Sequence, residues 1–398
     1  MLGIALVLAL AIVGPASQAL PTSLRPTADA WRWSGARAIR GVTIGPIESE
    51  RHPDRGYGSA ANSRSFDEAG SIGATWVSLT PFGRVHDLTP EGIDLSFEAP
   101  FQDNRAAVLR SIEDAHAHGL KVMLVPHLWV ESGEWRALID PPTDEGWQRW
   151  ADAYARFLLA WADVAREGHV ELLSVGVELR SFVTTKRVSL FLPIIDRVRA
   201  TYPGLLTYSA NWDDAEDTLI WDAVDLVGIN AFYPLAERDG AGLEELRAGG
   251  RHVAEGLGRF AAGVRKPIVL TEVGYTTRPN PAIHPWEWPD SMQNVTVDEA
   301  AQAEAYDALL GPMIDADWCA GFFVWRYYAD PDDVSQEAAW GFSPRGKLAE
   351  VVLRDAFTTR FAADGDALPG DLGGRQRART PWTLGWEASP PLVFEPRR

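Results

Sequence analysis

Eight short β-branched or apolar runs, separated by amphipathic stretches, constrain this chain more than any other feature. The runs are Ile39–Gly45, Thr75–Thr80, Lys121–Pro126, Glu171–Val177, Leu205–Ser209, Asp225–Asn230, Pro267–Thr271 and Gly321–Trp325. Between them the apolar spacing becomes helical, which predicts helices over Gln102–His118, Glu145–Ala165, Lys186–Thr201, Leu243–Ala262, Asp298–Ile314 and Lys347–Phe357. The first connection, Ser59–Ile72, carries a weaker pattern, and the fifth, Asp214–Trp221, is short. Strands that alternate with helices pair in parallel through helical crossovers. The expected fold is therefore α/β, a single-domain (β/α)8 TIM barrel over about residues 39–361. A doubly wound open sheet is the alternative, but Ile44-Gly45-Pro46 after the first strand is no glycine-rich dinucleotide fingerprint.

Charge and cysteine content remove several function classes. The 398 residues carry a formal net charge of −18 without any long basic run, which argues against nucleic acid or an anionic membrane as partner. Cys319 is the only cysteine, so no intramolecular disulfide exists and zinc sites built on several cysteines are excluded. Its apolar neighbours Ala320-Gly321-Phe322-Phe323 suggest an inert buried thiol. Leu2–Val13 is apolar but too short to span a bilayer, and Ser17-Gln18-Ala19 offers a small-x-small cleavage pattern. Residues 1–19 are thus expected to be a signal peptide, with an uncleaved anchor as the alternative, and the mature protein to be secreted or periplasmic. Residues 20–38 read as an N-terminal extension and 362–398 as a Gly/Pro-rich tail that Trp382 and Trp386 could pack. A monomer without membrane contact beyond the signal segment is expected.

In a barrel of this kind the active site is built where the strands end. Glu178 closes the fourth apolar run and Glu272 the seventh. Glycoside cleavage needs one carboxylic acid to protonate the leaving oxygen and a second carboxylate on the other face of the sugar, about 5–5.5 Å away in retaining enzymes. Each glutamate alone could equally pair with a lysine or cap a helix. Around the pair, strand ends and the Pro/Trp-rich loop after the seventh strand supply His127, Trp129, Arg180, Asn211, Trp212, Tyr233, Tyr275, Trp286 and Trp325. Tryptophan platforms with amide, imidazole and guanidinium donors suit the flat faces and hydroxyls of a carbohydrate. Trp31, Trp33, Trp161 and Trp318 read as core. Arg180, Tyr233 or His127 is expected to hold Glu272 ionised, with Glu178 raised above an exposed glutamate. Asp213 and Asp214 read as helix caps. His116 and His118 are two apart and share no helical face, so neither a catalytic metal nor a cofactor is expected.

These motifs resemble a known group. Val175-Gly176-Val177-Glu178-Leu179, Leu270-Thr271-Glu272-Val273-Gly274-Tyr275 and Phe323-Val324-Trp325 are similar to the strand-end motifs of clan A glycoside hydrolases. Val125-Pro126-His127, the loop around Trp286, Ala301-Gln302-Ala303 and Trp340-Gly341-Phe342-Ser343-Pro344 resemble family 113 of that clan, whose characterised members include retaining β-mannanases. The likeness runs from about Arg40 to Phe357. It implies Glu178 as acid/base and Glu272 as nucleophile of a secreted retaining hydrolase, with β-1,4-mannan favoured. Much of the clan has Asn just before the acid/base, where it contacts the substrate 2-hydroxyl; here Val177 stands there and cannot make that bond. A catalytically inactive carbohydrate-binding barrel and a cell-wall transglycosylase are the alternatives.

Overall fold

The computed structural model describes residues 37–46, 54–97, 99–287, 295–333 and 337–361. The expected signal, residues 20–36 of the N-terminal extension and the C-terminal tail, with Trp31, Trp33, Trp382 and Trp386, lie outside the described residues. The strands are β1 (Ile39–Gly45), β2 (Trp76–Leu79), β3 (Phe82–Val85), β4 (Lys121–Leu124), β5 (His127–Val130), β6 (Leu172–Val177), β7 (Leu205–Asn211), β8 (Val227–Asn230), β9 (Ile268–Val273) and β10 (Cys319–Tyr328). Eight of them close a barrel in the order β1, β2, β4, β6, β7, β8, β9, β10, each neighbour parallel. The helices are α1 (Ala60–Ser71), α2 (Phe101–Ala117), α3 (Asp144–Glu167), α4 (Arg180–Val183), α5 (Val188–Thr201), α6 (Leu243–Val264), α7 (Glu299–Ile314) and α8 (Leu348–Asp355). None of them is long and apolar enough to cross a membrane.

Each helix forms for local reasons. At α3 the Thr143 hydroxyl accepts from Gly146 N at 3.0 Å, and Asp144 and Glu145 meet the positive end of the helix dipole. Trp147, Trp150, Tyr154, Leu158 and Trp161 then recur at three- and four-residue steps and bury one face. Trp161 is core as expected, and Trp318 packs half-buried against it. Between β7 and β8 no α-helix forms. The connection is a run of turns ending in one 3-10 turn at Trp221–Ala223, too short to repay helix nucleation.

The sequence patterns did not reveal the pair β3–β5. After β2 and β4 the chain meets Pro81 and Pro126, which offer no N–H to the ladder. Both strands therefore leave the barrel and resume together as a separate parallel ribbon, Phe82 opposite His127 and Arg84 opposite Trp129. This ribbon carries His127 and Trp129 to the barrel's mouth.

Two apolar layers hold the barrel. Outward-facing strand residues such as Val42, Val77, Leu124, Leu173, Ile229 and Leu270 pack under the helices. Inward-facing residues, among them Ile39, Trp76, Met123, Leu172, Leu205, Val269 and Phe323, form a separate cluster inside. Cys319 is buried in the outer layer, and burial pushes its thiol up to about 12, as suits an inert cysteine.

Candidate active site

Glu178 leaves β6 with φ of +50°, a conformation costly for a residue with a Cβ. Two bonds hold it there: Glu178 N donates to Ser209 O at 2.8 Å, and Leu179 N donates to the buried Tyr208 hydroxyl at 2.7 Å. Gly176 is required just before, since a Cβ would sit 2.9 Å from the Tyr154 hydroxyl and 3.0 Å from the Tyr208 ring. The turn aims the carboxylate into the mouth. There Oε1 accepts from Asn230 Nδ2 at 2.8 Å, while Oε2 accepts from Trp135 Nε1 at 2.8 Å and Arg136 at 2.9 Å.

Glu272 sits on β9 beside Asn230, its register partner on β8. Thr271 donates to Asn230 Oδ1 at 2.9 Å, which fixes the amide so that its NH2 faces the carboxylates. That amide reaches Glu272 as well as Glu178. His127 Nε2 lies 3.4 Å from Glu272 Oε1, short of hydrogen-bond geometry, and it meets no other acceptor. Burial, then Arg136 and Arg326, hold the imidazole well below its usual range, so it is neutral.

The electrostatics correct one expectation. Burial first, and then the charge of Glu178, raise the Glu272 carboxyl to about 8, against the weaker opposing pull of Arg136, Arg326 and Asn230. Glu178, by contrast, has three donors including a guanidinium. Glu272 therefore carries a proton at neutral pH, whereas the sequence suggested that neighbouring donors hold it ionised.

Both glutamates line a cleft of ≈ 970 Å³ together with His127, Trp129, Asn211, Trp212, Trp286 and Trp325. Trp286 stacks on Trp212 with centroids 5.4 Å apart and 23° between planes. Trp325 joins Phe232 and Phe342 in a small apolar cluster, and its ring stacks on His127 at 6.0 Å.

Three expected ligands are placed elsewhere. Arg180 does not reach Glu272: it bonds Asp213, and Asp214 at 3.0 Å, while its guanidinium lies 4.8 Å from the Trp135 ring centre. Asp213 and Asp214 are thus guanidinium partners, not helix caps. Tyr275 is fully buried and packs edge-on against Tyr306. Tyr233 stands edge-on behind Trp212, outside the cleft lining.

The site also contains residues that the sequence did not mark as ligands: Phe82, Trp135, Arg136, Asn230, Phe232, Arg326 and Phe342. Phe82, Asn230, Phe232 and Arg326 sit at strand ends, so position could have found them. Trp135 and Arg136 lie at a loop 3-10 turn far from either glutamate in sequence, and no local signal points to them. Among the described residues no group of three His, Cys, Asp or Glu side chains could hold a metal ion. His116 and His118 take separate partners, Glu171 at 3.3 Å and Asp67 at 3.3 Å.

The model of Glycoside Hydrolase Family 113 matches residues 51–346 of this chain. The chain belongs to glycoside hydrolase family 113. Its eight-stranded parallel barrel fits clan A, and the protein is a glycoside hydrolase. A family 113 β-mannanase from Alicyclobacillus acidocaldarius, solved in complex with ManMIm, is 27% identical with a TM-score of 0.69, covering 81% of this chain and 98% of its own. A second family 113 structure, a β-1,4-mannanase complex, is 21% identical with a TM-score of 0.67, covering 81% of this chain and 99% of its own. A β-glucuronidase from Faecalibacterium prausnitzii shares only the fold, at 17% identity and a TM-score of 0.54, covering 82% of this chain and 49% of that one. No curated protein sequence matches.

Proposed function

We propose that this family 113 enzyme is a retaining β-1,4-mannan hydrolase in which Glu272 is the nucleophile and Glu178 the acid/base. The observation that carries the reading is the meeting of both carboxylates at Asn230, which donates to Glu178 at 2.8 Å and is the register partner of Glu272. Two carboxylates gathered at one residue suit the close pair of a double displacement, whereas inversion needs room between them for a water. The substrate choice rests on the solved β-mannanase at 27% identity.

In the first step Glu272 Oε attacks the anomeric carbon while the glycosidic C–O bond breaks and Glu178 gives its proton to the leaving oxygen. In the second, water attacks the glycosyl–enzyme ester, Glu178 takes its proton, and Glu272 leaves as carboxylate. The reacting sugar favours the productive protonation states. A leaving oxygen accepts from protonated Glu178, and positive charge growing at the anomeric carbon favours ionised Glu272. Asn230 donates to Glu178 at 2.8 Å and is the register partner of Glu272, so it stands beside both carboxylates.

Trp325 forms the floor of the subsite beside the cleaved bond, where its 8% exposed ring lies against His127. Trp325→Ala should lower turnover by more than packing loss explains, because stacking there orients the sugar. The apolar run Leu2–Val13 supports export, and N-terminal sequencing of protein recovered outside the cytoplasm tests that.

The main experiment incubates the protein with β-mannan, β-glucan and xylan while new reducing ends and the first-formed anomer are followed. Release from mannan with a β-anomeric first product is expected. An α-anomeric first product would overturn retention, release only from another polymer would overturn the substrate, and binding without release would make this a carbohydrate-binding barrel.

A further inference from the structure

Among the described residues three aromatic side chains are exposed, Phe97 at 43%, Trp129 at 49% and Trp286 at 45%. Exposed aromatics scattered singly need no explanation, but these three gather at one mouth. Trp129 and Trp286 line the cleft; Phe97 lies just outside it.

The β3–β5 ribbon sets the spacing. Side chains alternate along a strand, so His127 and Trp129 share the cleft-facing side of β5, about 7 Å apart, with Phe82 and Arg84 beside them on β3. His127 is at Glu272; Trp129 is the next step outward. The chain after β3 folds back through a single antiparallel bridge, Arg84 opposite Asp94, with both backbone bonds at 2.8 Å. Ser96 N donates to Asp94 Oδ1 at 2.7 Å in an Asx turn that carries Phe97 over Arg84. Gly83 permits this fold-back, since a Cβ there would meet Ile93 and Phe157. The Arg84 guanidinium then lies 4.0 Å from the Phe97 ring centre and 5.8 Å from that of Trp129, and bonds Glu131 at 2.9 Å. The Phe97 ring is thus within two sugar units of Trp129.

We propose that Trp129 and the Arg84–Phe97 pair form a remote binding site for a β-linked glycan chain running out of the catalytic cleft. The occupant follows from continuity, because Trp129 belongs to the cleft and the outer rows extend the same face. Aromatic rings cover the apolar sugar faces, and the Arg84–Glu131 pair meets hydroxyls at their edge. The site favours polymers over short oligosaccharides. This inference rests on the glycan-hydrolase reading above and deepens it.

The test compares Phe97→Ala and Phe97→Tyr with the unaltered full chain on β-1,4-manno-oligosaccharides of two to six sugars and on soluble mannan. Phe97→Ala should raise KM for hexaose and mannan by about 3- to 10-fold, leave the shortest cleaved substrate unchanged and leave kcat unchanged throughout. Phe97→Tyr keeps the ring and should restore the lower KM. An equal shift at every length, or none, overturns the site. Tryptophan fluorescence titration with manno-, cello- and xylo-hexaose is run in parallel. Should mannan not be cleaved, a hexaose affinity weakened by Phe97→Ala keeps the site and overturns only the mannan reading. Failure of every hexaose to bind the unaltered chain overturns both.

Discussion

The two ends of the same eight strands are built from opposite materials. At the floor Ile39, Trp76, Met123, Leu172, Leu205, Val269 and Phe323 fill the barrel with apolar volume, and the Trp76 ring meets Phe323 edge-on at 6.2 Å. Midway, hydroxyls such as Ser174 and Ser209 pair with each other at 3.0 Å. At the mouth the strands end in Glu178, Asn230 and Glu272, with His127 and Asn211 beside them. The floor gains stability from apolar burial. The mouth spends some of it, because it keeps two carboxylates and a neutral imidazole out of water. Stability and chemistry can thus be altered separately in one fold.

If that separation holds, the largest effect comes from Glu272→Gln. Hydrolysis should fall by at least about 10⁴-fold because no nucleophile remains, while the melting temperature stays level or rises. A variant that unfolds instead would show that mouth and floor are one cooperative unit. Glu178→Gln should slow mannan cleavage by about 10²–10⁴-fold yet spare the first step on aryl glycosides whose leaving group needs no proton, seen as a burst of released phenol. At the floor, Phe323→Ala should cost about 3–5 kcal/mol of stability, read from denaturant unfolding, with kcat of the folded fraction nearly unchanged.

The pH response sharpens the same contrast. In the folded protein Glu272 keeps its proton up to about 8, whereas an unfolded glutamate releases it near about 4.3. The folded state therefore holds more protons through that window, and stability falls as pH rises across it. Glu272→Gln should remove this slope, visible as a smaller difference in melting temperature between pH 5 and pH 8. In the unaltered enzyme the pH profile of kcat/KM should change across about pH 8, where Glu272 titrates. The smallest effect is expected from Arg180→Gln. It removes the guanidinium over Trp135, whose N–H bonds Glu178, and should lower kcat by about 3- to 10-fold with KM unchanged.

Much of this was legible before the fold was known. Strand and helix periods arise from local backbone geometry, so the eight runs and their alternation could be read directly. The glutamates could be found because a strand end in a parallel barrel is a defined place. Six of the nine expected ligands stand in the cleft. Arg180, Tyr233 and Tyr275 lie outside its lining, because sequence says that a residue follows a strand, not which way its side chain turns. Arg180 turned toward Asp213 and Asp214, and Tyr275 turned into the core.

Sequence alone thus determined the alternation, the barrel, the family likeness and the two strand ends that carry carboxylates, since each depends on short-range pattern. Tertiary structure decided what surrounds those carboxylates. Trp135 and Arg136 reach Glu178 across more than forty residues of chain, and Asn230 reaches both glutamates only because β8 lies beside β9. The proton rests on Glu272 because burial, not residue type, sets the cost of its charge. Burial is a property of the assembled barrel, and no local stretch of sequence contains it.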